Sequence, residues 1–299
     1  MSGVLPLMIL RPFYILAPFL FFSMFSCTSK EKAEIRPDEN RNVWSLYAVE
    51  FARSKDVSVD RLVKGARADH RVDMSWYFWV ARGFGKTILI DTGTDAFIHN
   101  SATQLRHKWN IHTARSVRAS LNILGIQPDE VSDVFITHHH WDHSDGLVHF
   151  ERANIHIAEV ELNSLKKKAS KDMLEFIERA SLRGALLTSL QNKKAEIPQI
   201  TVERAGQHTK GHRIVKLRCG GKNMIVAGDA AYLYQNLSAR LPITQSKSSS
   251  GNVHDLGKML DWVGSDGEVL PGHDPDVFSR HETVGHGVVK ICGPNAGAQ

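Results

Sequence analysis

Apolar residues fall along the chain in short runs separated by polar turns, and the runs come in two batches. In the first, Val43–Phe51 reads as a strand. Trp76-Tyr77-Phe78-Trp79-Val80 is aromatic and strand-prone, and Gly83-Phe84-Gly85 separates it from Thr87-Ile88-Leu89-Ile90, which predicts a hairpin. Val131–Thr137 and Ile155–Ala158 are further strand candidates. Ser116–Leu124 has helical spacing and is stopped by Gly125. Val160–Lys168 and Asp172–Leu190 read as helices, the second long and amphipathic. The second batch is Ile200–Glu203, Ile214–Cys219 and Asn223–Ala227, with Gly220-Gly221 as a turn, then a helix over Asp255–Val263 and a last strand at Glu268-Val269-Leu270. Ser246–Gly251 reads as a loop. Two batches of strands with helices between and after them predict two packed sheets with helices outside, an α/β layered domain. The helical stretch 160–192 is placed as a cap near the site.

The N-terminus breaks this pattern. Pro12–Ser29 carries no charge and holds five of the 13 phenylalanines. With Arg11 before it and Lys30 after it, the segment reads as an export signal. Cys27 follows a small residue, Ser26, and this resembles a bacterial lipoprotein signal, in which the cysteine is lipidated. An uncleaved anchor helix and a plain cleaved signal remain as alternatives; 18 uncharged residues just reach across a bilayer, and Pro18 is awkward inside a helix. Residues 1–27 are therefore assigned as leader or membrane anchor and 28–42 as a polar tether. Residues 43–299 form the domain. The expected location is the cell envelope or periplasm.

Composition sharpens the picture at one point. Of 299 residues, 42% are hydrophobic and 23% charged, which excludes a disordered chain or a small disulfide scaffold. The net charge of +5 is spread out, with no basic run beyond Lys166-Lys167-Lys168, so no nucleic-acid partner is expected. Sixteen histidines stand against three cysteines. Histidine is the commonest metal ligand. Cys219 and Cys292 are expected to be unpaired thiols.

Residues 137–146 read Thr-His-His-His-Trp-Asp-His-Ser-Asp-Gly, directly after the apolar Val134-Phe135-Ile136. A rigid strand end can make polar groups converge on one point. The spacing His-x-His-x-Asp-His lets residues two apart face the same way, and a tight turn can bring Asp142 and His143 round to a second ion. Imidazole plus carboxylate suits zinc and its divalent neighbours.

Thr137-His138-x-His140-x-Asp142-His143 resembles the signature of the metallo-β-lactamase fold hydrolases. Four further segments match that family in order: Ile90-Asp91-Thr92-Gly93, Gly206-Gln207-His208-Thr209-Lys210-Gly211, Ile225-Val226-Ala227-Gly228-Asp229-Ala230 and Leu270-Pro271-Gly272-His273-Asp274. The resemblance spans about residues 43–282 and implies a four-layer αββα sandwich with two divalent ions. Zinc is expected, with manganese, iron, cobalt or nickel as alternatives. His138, His140 and His208 would hold the first ion, Asp142, His143 and His273 the second, and Asp229 would bridge them. His139 falls on the variable position and is read as a non-ligand whose replacement by alanine is nearly silent. His212 is read as a surface residue, with a contact that supports the substrate or the ligands as the alternative, and His281 and His286 as solvated.

Hydrolysis is the chemistry this implies. The chain has no Gly-x-Ser-x-Gly elbow, no phosphate-binding Gly-x-x-x-x-Gly-Lys loop and no dinucleotide fingerprint. Aspartate at the bridging position points away from the true zinc β-lactamases. Tyr232, three residues after Asp229, resembles the N-acyl-homoserine lactonase branch, as do Trp141 and Pro271-Gly272-His273-Asp274-Pro275. On that resemblance the substrate is a small lactone or other ester, with Asp142 and Tyr232 as catalytic groups. Two segments depart from the branch: Ala205-Gly206-Gln207 stands before His208 where Thr-Pro-Gly is usual, and Ser144-Asp145-Gly146 stands after His143 where Gly-Gly is usual. The alternatives are hydrolysis of a thioester, phosphodiester, β-lactam or sulfate ester, and a non-catalytic envelope metal-binding protein.

Overall fold

A computed structural model describes residues 42–98, 103–189 and 197–294, with isolated positions 1 and 3. The chain divides into Met1–Glu34 and Ile35–Gln299, and the second unit holds every described strand and helix. The export segment, Cys27 and most of the tether lie outside the described residues. Among the described residues, no helix is long and apolar enough to cross a membrane.

The N-terminal half builds the strands β1 (Ser45–Ser58), β2 (Arg71–Gly83), β3 (Lys86–Ile90), β4 (Ile111–Ala114), β5 (Asp133–Phe135), β6 (Asn154–His156) and β7 (Leu186–Leu187). The next four, β8 (Ile200–Arg204), β9 (Arg213–Cys219), β10 (Lys222–Val226) and β11 (Glu268–Leu270), form a second sheet in the order β11-β10-β9-β8. The last two, β12 (Glu282–Gly285) and β13 (Val288–Cys292), return to the first sheet, whose order is β12-β13-β1-β2-β3-β5-β6-β7 with β4 paired to β1. The helices are α1 (Thr103–Trp109), α2 (Val117–Leu121), α3 (Trp141–Ser144), α4 (Glu159–Lys166), α5 (Lys171–Leu182), α6 (Tyr234–Ser238), α7 (Ser249–Val263) and α8 (Asp276–Arg280).

The aromatic run of β2 shows how four layers arise. Successive strand side chains point to opposite faces. Trp76, Phe78 and Val80 face one core with Val117 and Leu121 of α2 and Phe176 and Ile177 of α5. Tyr77, Trp79 and Ala81 face the other sheet, meeting Val215 and Leu217 of β9 and Met224 and Val226 of β10. The far face of the second sheet packs Ile214, Ile225 and Val269 on Leu256, Met259 and Val263 of α7. The layers are thus helix, sheet, sheet, helix, as expected. Both faces of β2 are buried over its middle, so Trp76–Ala81 is apolar throughout rather than alternating. Truncating such a core aromatic to alanine costs about 3–5 kcal/mol.

The predicted hairpin is present. Gly83 pairs with Lys86 across Phe84-Gly85, both with positive φ (52° and 68°), the backbone that a two-residue hairpin turn demands. Elsewhere tertiary pairing redraws the boundaries. The helix expected to reach Leu190 stops at Leu182, because Gly184 turns left-handed (φ 64°) and Leu186-Leu187 pairs in parallel with β6. The serine run read as a loop begins α7 at Ser249, since the Ser248 hydroxyl accepts the Gly251 N–H at 3.1 Å. The strands β4, β12 and β13 carry too short a pattern to stand out in sequence.

Cys219 and Cys292 form a disulfide, against the expectation of free thiols. The start of β1 brings them together: Trp44 bridges to Cys219 and Leu46 pairs with Cys292. The bond ties the end of β9 to the end of β13 and so links the two sheets. It closes a loop across 73 residues of sequence. A cross-link of this kind adds about 2–4 kcal/mol by restricting the unfolded chain. Cys292→Ser should lower the unfolding free energy by that amount in chemical denaturation, without changing the circular dichroism of the folded state.

Candidate metal centre

Four strand ends, in two parallel pairs, and one loop deliver the site. In the first sheet β3 runs parallel to β5, so the turn after Ile90 lies beside the loop after Phe135. In the second sheet β10 runs parallel to β11, so Asp229 and His273 emerge side by side. The loop between β8 and β9 adds His208. After β5 the chain makes one helical turn, α3, closed by the His143 N–H to the His140 carbonyl (3.0 Å), and this turn brings Asp142 and His143 round toward His273.

The seven side chains expected to be ligands converge in two groups. His138, His140, His208 and Asp229 form one, and Asp142, His143 and His273 the other, with ligand atoms in each group within 4.8 Å. Asp229 faces both. Its Oδ2 lies 3.1 Å from His208 Nε2 and 3.6 Å from His138 Nε2, and its Oδ1 lies 3.1 Å from both His143 Nε2 and His273 Nε2. Asp142 Oδ2 is 3.0 Å from His143 Nε2 and 3.7 Å from His273 Nε2. His208 Nε2 and His140 Nδ1 approach to 2.9 Å. His139 belongs to neither group.

Hydrogen bonds fix which ring nitrogen faces inward. His143 Nδ1 donates to Asp91 Oδ2 at 2.8 Å, and His273 Nδ1 donates to the Ser75 carbonyl at 3.1 Å. Asp91 also accepts the Thr137 N–H at 2.8 Å and its hydroxyl at 2.9 Å, and that hydroxyl oxygen receives His138 Nδ1 at 3.1 Å. The Tyr232 hydroxyl oxygen takes His208 Nδ1 at 3.4 Å. With their outer nitrogens occupied as donors, these four rings turn Nε2 inward, the orientation that metal ligands adopt. Asp91 holds this arrangement in a left-handed backbone conformation (φ 60°), a strained choice for a non-glycine that concentrates at functional sites.

This donor set fits divalent metal. Burial lowers His138 and His140 and brings His208 down to about 3, so these imidazoles are neutral and their lone pairs available. For His143 burial acts the same way, but the carboxylates of Asp142, Asp229 and Asp91 outweigh it and raise its pKa. His138 Nε2 and His143 Nε2 are buried without a hydrogen-bond partner. Buried acceptors facing one another are costly unless a cation sits among them. The chain therefore carries a His/Asp centre of the kind that holds divalent ions.

The family profile described as the metallo-beta-lactamase superfamily matches residues 70–270. The chain belongs to the metallo-β-lactamase superfamily. No curated protein matches it significantly. Solved structures share the fold at low identity. A probable metal-dependent hydrolase from Staphylococcus aureus is 14% identical, with 78% of this chain and 90% of that one covered and a TM-score of 0.62. An N-acyl homoserine lactone hydrolase with the product N-hexanoyl-L-homoserine at its catalytic metal centre is 15% identical, covering 81% and 98%, TM-score 0.62. A dizinc quorum-quenching lactonase in complex with a product is 16% identical, covering 85% and 95%, TM-score 0.58.

Two histidine readings change, and a third gains a partner. His212, expected at the surface, is 1% exposed; its Nδ1 donates to the Ala205 carbonyl at 2.8 Å and its ring lies 5.2 Å from that of His138. Its place beside the first ligand loop follows from the β8–β9 turn and has no signature in the local sequence. His281, read as solvated, is half-buried with Nε2 3.4 Å from Glu268, whereas His286 is exposed. His139 is no ligand, but its ring binds the buried carboxylate of Glu161.

Beside the centre lies a cavity of about 640 Å³, lined among others by His140, Trp141, Asp145, Leu165 and Met173. Leu165 and Met173 come from α4 and α5, so the helical stretch does form a wall near the site. Asp145, one of the residues standing in place of Gly-Gly, is pushed up to about 6 by burial and by the Asp142 charge.

Asp91→Ala should leave the fold intact and weaken metal binding about 10–100-fold, the usual cost of losing a group that orients ligands. Chelator competition on metal-loaded protein measures this.

Proposed function

We propose that the protein is an exported dinuclear-metal hydrolase that opens a lactone or similar small carboxylic ester. His138, His140 and His208 would hold the first ion, Asp142, His143 and His273 the second, with Asp229 shared between them; zinc suits this nitrogen and oxygen set. Two divalent ions supply Lewis acidity and make water a nucleophile near neutral pH.

The observation that carries the ester reading is the placement of Tyr232. Its ring is buried, and burial followed by the charges of Asp229 and Asp142 raises its pKa well, so the phenol keeps its proton. Its oxygen already accepts from His208 Nδ1, which leaves the O–H free to donate. A fixed neutral donor beside the ion pair suits the oxygen on which charge develops during attack at a carbonyl. Asp142 turns one oxygen toward His143 and His273; the other can carry a proton to the departing alkoxide. The cavity beside Trp141 gives the acyl part an apolar wall. The disulfide supports export, since such bonds persist in oxidising compartments. Membrane attachment through Cys27 stays part of this proposal.

The test is turnover by zinc- or manganese-loaded protein on acyl-homoserine lactones of several chain lengths, with thioesters alongside. Ring opening is expected. Hydrolysis of thioesters with no action on lactones would contradict the reading. Asp229→Ala should lose both ions and all activity together. Tyr232→Phe should keep full metal content and lower kcat by about 100-fold, as removal of an oxyanion donor does.

A further inference from the structure

Glu161 lies in the first turn of α4, away from every motif, and is 1% exposed. A buried glutamate is rare unless its charge is met by donors. Its donors come from two different loops. Oε2 accepts the His139 backbone N–H at 3.1 Å and also meets His139 Nδ1. Oε1 accepts the Gly211 N–H at 2.5 Å. His139 stands between the ligands His138 and His140, and Gly211 is three residues beyond His208. Gly211 is required for the approach: a Cβ there would fall 2.3 Å from Val160 Cγ1 and 2.9 Å from Glu161 Oε1. The rigid body of α4 therefore grips both loops that supply imidazoles to the first group. The second group rests on other supports, Asp91 for His143 and the Ser75 carbonyl for His273.

We propose that Glu161 is a positioning residue for the first metal site, its single carboxylate setting the separation between the His138–His140 loop and the His208 loop. The proposal rests on the two-ion reading above. Without the carboxylate, the buried Gly211 N–H and the part-buried His139 N–H lose their acceptor and the loops are free to part. The His140 Nδ1 to His208 Nε2 distance of 2.9 Å is what would relax. His139→Ala removes only the ring contact and keeps the backbone N–H, so its effect should be the smaller.

The experiment is calorimetric titration of metal-free protein with cobalt(II), with the cobalt absorption spectrum and the melting temperature of the metal-free form recorded in parallel. Wild type is expected to take two ions. In Glu161→Ala one ion should bind about 10–100-fold more weakly while the other keeps its affinity. Glu161→Gln conserves volume and one acceptor oxygen for Gly211, and should recover part of the loss; it gives the same reading if the alanine variant fails to fold. Two ions bound by Glu161→Gln and Glu161→Ala with wild-type affinity would overturn the proposal. So would equal weakening of both ions alongside a lower melting temperature of the metal-free form, the mark of a merely structural role. A wild type that takes fewer than two ions would instead remove the two-ion reading itself.

Discussion

One carboxylate organises this molecule. Asp229 is 4% exposed and has imidazole nitrogens on both of its oxygens, two on each. A buried charge is tolerated only when it is paired, and here its neighbours are four imidazoles that turn Nε2 toward it. His273 Nε2 meets Asp229 Oδ1 at 3.1 Å, but His138 Nε2 and His143 Nε2 are left without a hydrogen-bond partner. Two cations placed on either side of Asp229 satisfy all of them at once, and this requirement explains why so many polar groups are gathered in a dry place.

The layered sandwich exists, in this sense, to bring strand ends of two sheets to one edge. Parallel pairing of β3 with β5 sets Asp91 beside Thr137 and His143, and parallel pairing of β10 with β11 sets Asp229 beside His273. The inter-sheet core of Trp79, Leu217, Met224 and their neighbours fixes the sheets against each other, and the disulfide holds the opposite chain ends. Supports then act on individual rings: Asp91, Ser75, Tyr232 and, through the two loops, Glu161. Each is a short-range contact whose position depends on long-range packing, so small shifts in the scaffold would be felt at the ions.

What could be read from the sequence divides along the same line. The candidate ligands were legible because their segments resemble a family's motifs in order, and four of them stand together directly after the apolar run that ends β5. The β2–β3 hairpin was legible because Phe84-Gly85 is a local turn between two β-prone runs. The missed features are all decided by partners distant in sequence. Cys219 and Cys292 meet only because β13 pairs with β1, and five residues of β-prone chain after His286 carry too little pattern to announce that strand. Leu186-Leu187 looked like the end of a helix until β6 offered it hydrogen bonds. His212 and Glu161 are polar residues whose sequence neighbours give no sign of burial; His212 is made interior by the His138 loop and the Ala205 carbonyl, and Glu161 by the meeting of α4 with the His139 and Gly211 loops.

The most direct measurement is anomalous diffraction at the zinc edge from crystals of the zinc-loaded protein. Two peaks are expected on opposite sides of the Asp229 carboxylate, one among His138, His140 and His208 and the other among Asp142, His143 and His273. A single peak, or density that leaves Asp229 out of contact with one ion, would contradict the bridging role on which the rest depends.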